Sequence, residues 1–319
     1  MWLIYLTRCR QHPNKMWSKK QEDTLTRLFN TGMSNWEIAK YANWTEDSVR
    51  NKLKRLSLER PTEVSSKPKI LLFDIENSPL TVYTWGLFDQ NIWINQIKKD
   101  WYIISWSAKW LGGKKTISST VSPQESLKQN DKRIVKELWN LVNEADILIG
   151  HNAKAFDVKK MNARFLKYGL PEPRQYKVID TLTIARRNFA ISSNKLDYLC
   201  SYLGLDRKIQ TWWFELWELC MQGDKKALKI METYCQNDVI ILEELYMKLR
   251  VYDKTHPNVW LYIDDDELHC PRCGSTRLRW SWTCVVNSNM YKTAKCECWA
   301  SIRSSKAITS AERKETLMK

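Results

Sequence analysis

The stretch KILLFDIEN, residues 69–77, decides the fold. Four apolar residues, Ile70 to Phe73, read as a buried strand, yet the run ends in Asp74 and Glu76 with Ile75 between them. Side chains alternate along a strand, so the two acids share one face while Ile75 packs behind them. Like charges so close repel unless something positive lies between them, and a divalent cation meets that need. A lone D-x-E is common at strand ends, so the reading depends on partners elsewhere in the chain.

Two further stretches supply partners. GHNAKAFD, 150–157, follows an apolar run and opens a helix, which places Asp157 in the first helical turn. YCQND, 234–238, sets Tyr234 and Asp238 four residues apart, hence on one helix face. The set is two acids on a strand, a third at a strand-to-helix transition, and a fourth with a tyrosine one turn away.

In order, FDIE, HNAKAFD and YCQND resemble the three motifs of the DEDD exonucleases, over roughly residues 68–250. One branch of that family has a histidine five residues before the last aspartate, where this chain has Thr233. The other has a tyrosine four before, where this chain has Tyr234, so the resemblance is to the tyrosine (DEDDy) branch. More loosely, the layout resembles nucleases encoded by tailed bacteriophages. The resemblance implies a ribonuclease H-like fold and a 3′–5′ exonuclease releasing nucleoside 5′-monophosphates with two Mg²⁺ or Mn²⁺. It implies that Asp74 bridges both ions and that Glu76 and Asp238 hold the one carrying the attacking water. Asp157 would support the second ion, directly or through water, and Tyr234 would orient the attacking water. Hard cations of this kind take carboxylate oxygens. Asn152 and Phe156 match the second motif. They would meet the terminal nucleotide, or serve strand-end hydrogen bonding and core packing. His151 is expected to be a satisfied structural histidine and Asp180 a helix N-cap.

The surrounding sequence, 70–256, reads as α/β: a mixed sheet flanked by helices. KILLFDIE, TVYTWGLFD and WYIISWSAKW look like three consecutive strands, DILIGHN like a fourth. Helices are expected over KRIVKELWNLVNEA, DVKKMNARFLKYG, KLDYLCSYLGL and the long stretch from Asp224 to Tyr252, and YKVIDTLTIARRNF runs from strand into helix. TWWFELWELC, 211–220, offers either stacking faces for bases or a helix with Trp213, Leu216 and Trp217 in the core. Arg186, Arg187, Lys159 and Lys160 would line a phosphate track or face solvent.

Two smaller domains flank this one. Residues 15–60 carry three short amphipathic patterns, the last, TEDSVRNKLKRLSL, with Thr45 as N-cap. They resemble helix-turn-helix and Myb-like domains, whose last helix enters the DNA major groove. Arg50, Lys52, Lys54 and Arg55 are the candidate contacts, and a protein-interaction module is the alternative. Residues 61–69 form a linker. In 265–304, Cys270 and Cys273 (CPRC) precede Cys296 and Cys298 (CEC) by 22 residues. Four thiolates suit a structural Zn²⁺. The segment resembles a zinc ribbon, except that its second hook is C-x-C, which leaves His269 and Cys284 open as fourth ligands. A basic tail fills 305–319.

Charge supports the layout. The chain has a net +15: +7 in residues 1–69, +6 in 267–319 and only +2 between. Basic flanks suit a polyanion, because Lys and Arg contacts to phosphate release counterions. DNA is favoured by the N-terminal helices, with RNA open and a polymerase or replication partner conceivable. A composition of 43% hydrophobic residues with 9 Gly and 9 Pro excludes a disordered chain. No apolar run approaches the ~20 residues that span a bilayer. MWLIYLTRCR is a poor secretory signal. Cytoplasmic residence is therefore expected, where the 9 Cys would be thiols or metal ligands. The rival readings are a DNA-binding accessory protein with a weak or silent nuclease, and an endonuclease on the same fold.

Overall fold

The structure, a computed structural model, describes residues 17–31, 33, 35–56, 58, 67–209, 214–265, 267–286 and 289–308. Trp213, most of the linker and the tail from residue 309 lie outside the described residues. The chain divides into two compact units, Met1–Glu63 and Val64–Lys319.

The first unit is three helices: α1 (Lys19–Asn30), α2 (Asn35–Ala42) and α3 (Glu46–Arg55). Ser18 starts α1 with a reciprocal capping box to Gln21, and Thr45 caps α3 by accepting from the Ser48 amide. Leu25, Leu28, Ile38, Ala39, Val49 and Leu53 form its buried core. Trp17 meets Trp44 edge to face at 4.5 Å.

The second unit continues with β1 (Ile70–Asn77), β2 (Thr81–Val82), β3 (Ile97–Lys99), β4 (Ile103–Trp110), β5 (Thr116–Thr120), α4 (Pro123–Leu127), α5 (Lys132–Glu144) and β6 (Ile147–Gly150). Next come α6 (Asp157–Lys167), β7 (Lys177–Asp180), α7 (Thr181–Asn188), α8 (Leu196–Tyr202), α9 (Phe214–Met221) and the 25-residue α10 (Lys225–Leu249). Five strands form one mixed sheet, β5-β4-β1-β6-β7. β1 runs antiparallel to β4 and parallel to β6, so it lies at the centre. Leu71, Phe73 and Ile75 enter one core with α5 and α6; Ile70 and Leu72 enter another with α7, α8 and the C-terminal half of α10. Asp74 and Glu76 continue the second face, at the point where that core ends.

The expected strand over TVYTWGLFD is corrected. Only Thr81–Val82 is extended, paired with β3 in a separate two-stranded sheet. Its pattern of Thr, Val, Tyr and Trp favours a strand, but a strand needs a core to face. Tyr83, Trp85, Leu87 and Phe88 face solvent. The meander is completed instead by β5, which carries no apolar run and was not foreseen.

The chain ends in an antiparallel sheet of β8 (Leu278–Val286), β9 (Asn289–Cys296) and β10 (Ser301–Ala307), in the order β10-β9-β8. The Cys270–Cys273 turn is tied to the main body, where the Val259 amide donates to the Pro271 carbonyl at 3.0 Å.

Candidate active site

β1 delivers Asp74 and Glu76, and α10 brings Asp238 across them. One carboxylate oxygen from each lies within 4.8 Å of the others. The cost of this arrangement shows in their protonation. Burial, then the neighbouring acids, pushes Asp74 well above the carboxylate range. The same causes raise Glu76 to about 8. Burial raises Asp238 to about 6 against the pull of Lys208. Buried Oδ1 of Asp238 has no hydrogen-bond partner among the described residues. From the same helix, the Cys235 thiol donates to Asp74, 3.5 Å from its carbonyl and 3.6 Å from Oδ2.

Asp157 opens α6, buried, outside the 4.8 Å set but close enough to raise Asp74 and Glu76. Burial lifts it to about 7, while its own amide and that of Ile75 pull it down. The turn before it is tight. A Cβ on Gly150 would lie 2.5 Å from that of Ala153, and Asn152 takes φ of 66°. Asp180 holds this turn, accepting from the amides of Asn152 and Lys154 at 3.0 and 3.1 Å, and also caps α7. His151 bonds Thr181 Oγ1 at 2.9 Å and the Asn194 carbonyl at 3.0 Å. Both residues are thus fully engaged in structure, as expected.

Tyr234 sits one turn before Asp238, its hydroxyl pushed up to about 12 by burial and by Asp238. Lys208, which the sequence did not suggest, reaches both. Its Nζ donates to the Tyr234 hydroxyl at 2.7 Å and lies 2.6 Å from Asp238 Oδ2. Burial opposes its charge, but Asp238 and Tyr234 outweigh that and raise its pKa. Nothing in GLDRKIQTWW marks this lysine, because it lies on an aperiodic connection that only the fold brings here.

Two cavities flank the acids. One, of about 670 Å³, is walled by Glu76, Phe156, Phe214, Trp217, Tyr234 and Lys208. The other, of about 660 Å³, is walled by Asp74, Asn152, Arg186, Lys195, Lys208 and Asp238. The first is aromatic; the second sets Arg186, Lys195 and Lys208 beside the carboxylates of Asp74, Asp197 and Asp238. Phe156 is 43% exposed and belongs to the cavity wall, not to the core. Trp217 does both, packing on the core and meeting Tyr234 edge to face at 6.2 Å, while Leu216 beside it is buried. Lys160 lies 3.7 Å from the Trp101 ring centroid and Lys159 is exposed. Arg187 is turned away to Thr255. The amide oxygen and nitrogen of Asn77, on the aromatic cavity's wall, are buried without partners among the described residues. That residue too escaped the sequence reading.

The thiols of Cys270, Cys273, Cys296 and Cys298 gather within 4.8 Å. His269 is engaged elsewhere, through Gly274 and Asp265, and Cys284 lies apart on β8, so the C-x-C hook closes the set. On α3, Lys54 and Arg55 are exposed in the last turn. Arg50 is paired with Glu46 and Asp47, and Lys52 with Glu22 of α1.

Residues 98–250 match the family model described as RNase_H superfamily. The mixed sheet flanked by helices is consistent with an RNase H-like fold. In an alignment of 198 positions that covers 56% of this chain, it is 27% identical to the DNA polymerase III PolC-type of Ureaplasma parvum. It spans 13% of that polymerase. A family B DNA polymerase from the hyperthermophilic archaeon Pyrobaculum calidifontis superposes with a TM-score of 0.44 at 17% identity, covering 58% of this chain and 25% of the polymerase. No described helix is long and apolar enough to cross a membrane.

Proposed function

We propose that the chain is a metal-dependent 3′–5′ exonuclease that hydrolyses nucleic acid, DNA in preference to RNA, to nucleoside 5′-monophosphates. The observation that carries this reading is the meeting of Asp74, Glu76 and Asp238 within 4.8 Å at the junction of two cavities. The donor set fits Mg²⁺ or Mn²⁺: all oxygens, each ionised form disfavoured by burial and crowding, with Asp238 Oδ1 unpartnered. Asp74, Glu76 and Asp238 would hold a pair of such ions, with Asp157 supporting one of them. Bound there, divalent cations lower the pKa of a water and stabilise the departing 3′ oxygen.

The chain's own groups do the rest. The Tyr234 hydroxyl, too weak an acid to serve as a base, orients the water. Lys208 fixes that hydroxyl and favours the ionised form of Asp238. Phe156 and Trp217 give the last base an apolar slot. Arg186 and Lys195, across the acids, suit the phosphates that follow. The four-cysteine cluster holds one Zn²⁺ that stabilises the C-terminal sheet. The N-terminal helices bind DNA through α3. The similarity to a DNA polymerase supports work on DNA, beside a polymerase or a replication assembly.

The test is cleavage of 5′-labelled single-stranded DNA, duplex DNA or RNA with Mg²⁺ or Mn²⁺. A descending ladder supports the reading, and Asp74→Ala should lower the rate more than ~10³-fold while binding persists. Cutting of a closed circle would instead make the protein an endonuclease. Binding without cleavage under either metal would make it an accessory protein.

A further inference from the structure

Between β1 and β4 the chain leaves the five-stranded sheet for residues 78–102 and exposes what most proteins bury. Trp85 is 95% exposed, Leu87 92%, Phe88 82%, Trp93 72%, Ile94 88% and Tyr83 68%. Scattered single apolar residues on a surface need no explanation, but a contiguous group marks an interaction site. This arm is nevertheless well defined, and polar groups define it. β2 pairs with β3, and the Tyr83 amide donates to the Gln96 carbonyl at 3.1 Å. The Gln96 side chain spans the arm, donating to the Tyr83 carbonyl at 2.9 Å and accepting from the Trp93 amide at 2.7 Å. Gln90 donates to the Phe88 carbonyl at 2.8 Å. The backbone is held by its own hydrogen bonds and the rings are left outward.

We propose that this arm is a wedge that parts a nucleic-acid duplex at its end, its outward rings stacking on the bases it unpairs and feeding the 3′ strand into the aromatic cavity. Three observations choose nucleic acid as the occupant. First, the arm is the direct continuation of the strand bearing Asp74 and Glu76, and its root, Asn77, Ser78 and Pro79, walls the aromatic cavity. A strand held at the acids therefore meets the arm on leaving. Second, Asn77, which lines that wall, has its amide oxygen and nitrogen buried without partners among the described residues, a polar pair that a base or sugar entering the cavity would satisfy once the side chain turns outward. Third, residues 80–99 interleave the rings with Gln and Asn and carry two lysines against one acid, with Lys98 Nζ 5.1 Å from the Tyr83 ring centroid. Rings with amides and lysines stack on bases and tolerate any sequence, each stacked base adding about 1–3 kcal/mol. Apolar side chains inserted at a base step are also a known means of unstacking it. Which strand is retained rests on the exonuclease reading; the parting of the duplex does not.

The test uses the full chain with Trp85→Ser, Phe88→Ser and Trp93→Ser together. These side chains are exposed, so the thermal midpoint should stay within ~2 °C. On 5′-labelled DNA with Mg²⁺, digestion of a blunt duplex should fall at least tenfold while the same strand unpaired is digested within twofold of wild type. Restoring aromatic faces, with Trp85→Phe and Trp93→Phe alone, should keep most of the duplex rate. A second measurement needs no cleavage. In an Asp74→Ala background, a duplex with 2-aminopurine near its 3′ end should brighten on binding, and the triple change should abolish the rise. No brightening with the arm intact, or equal losses on both substrates, overturns the wedge. So does a dimer that the triple change converts to monomer with rates unaltered, which would make the arm a self-association face.

Discussion

Asp74 and Asp238 enter the fold at a cost that Lys208 offsets only in part, and that cost has a sign. Glu76, Asp157 and Asp238 hold protons up to about 8, 7 and 6, above the ~4 of unfolded carboxylates. Between pH 4 and 8 the metal-free fold therefore binds more protons than the unfolded chain, so its stability falls as pH rises through this window. Mn²⁺ should reverse the trend. The thermal midpoint of chelated protein is expected to drop from pH 6 to 8. Saturating Mn²⁺ should raise it by several degrees and by more at pH 8, where fewer protons need be displaced; at 100 times the dissociation constant the linkage is about 2.7 kcal/mol. A midpoint indifferent to both pH and metal would count against the site. Lys208 acts on the same balance. Lys208→Met removes the charge that lowers Asp238, so the acid limb of the rate profile should move to higher pH, with the rate down about 10–100-fold. A loss of rate with an unmoved limb would mean Lys208 only supports the loop. Strand and helix periods put Asp74 with Glu76, and Tyr234 with Asp238, on shared faces; that these stretches and Asp157 belong together is what the resemblance to the DEDD motifs implies, and the structure brings Asp74, Glu76 and Asp238 within 4.8 Å. Lys208 and Asn77 were not legible in the sequence, because neither connection geometry nor an unpaired amide leaves a periodic trace.

The elements show where propensity was enough and where it was overruled. β1 and α10 were readable from end to end, since each buries a continuous apolar set. The arm was misread because its composition favours a strand while the tertiary structure gives it nothing to cover. β5 was missed for the converse reason: TISST is weakly apolar, and its pairing with β4 is what makes it a strand. The β6–α6 turn is the element on which the site depends most. Adding a methyl at Gly150 drives it to 2.5 Å of Ala153, so Gly150→Ala must shift the turn that carries Asn152 and Asp157. Overpacking of this kind costs about 1–3 kcal/mol. The variant should melt several degrees lower, and its cleavage rate should fall further than stability alone explains, since Asp157 moves with the turn. A variant that melts low but cleaves at the wild-type rate would show that Asp157 is not needed at the metals. The four-cysteine cluster is a separate element with a separate outcome. Chelation, or Cys273→Ser with Cys298→Ser, should loosen the C-terminal sheet, read from Trp280 and Trp282 fluorescence. Circular dichroism of the helices should change little, since the sheet of β1 carries its own core.

At the scale of the whole chain, charge and chemistry are kept apart. The nearly balanced middle holds the acids, and the basic ends flank it. That separation makes binding and cleavage separately testable. A phosphate contact releases counterions, so each Lys or Arg that touches the backbone adds about 0.9 to the slope of log affinity against log salt on duplex DNA. On α3 the four candidate cations are not equivalent. Lys52 is committed to Glu22 and Arg50 to its own helix, whereas Lys54 and Arg55 are exposed in the last turn. Lys54→Ala with Arg55→Ala should therefore lower the slope by up to about 2 and weaken duplex binding at about 0.1 M salt. Lys52→Ala should act mainly on stability, by freeing Glu22. At saturating DNA, the cleavage rate of the Lys54/Arg55 variant should equal that of wild type, because the acids belong to the other compact unit. An unchanged salt slope would assign the first unit to a protein partner and leave the positive charge of the C-terminal sheet, Arg279 and Lys295 among it, to hold the strand.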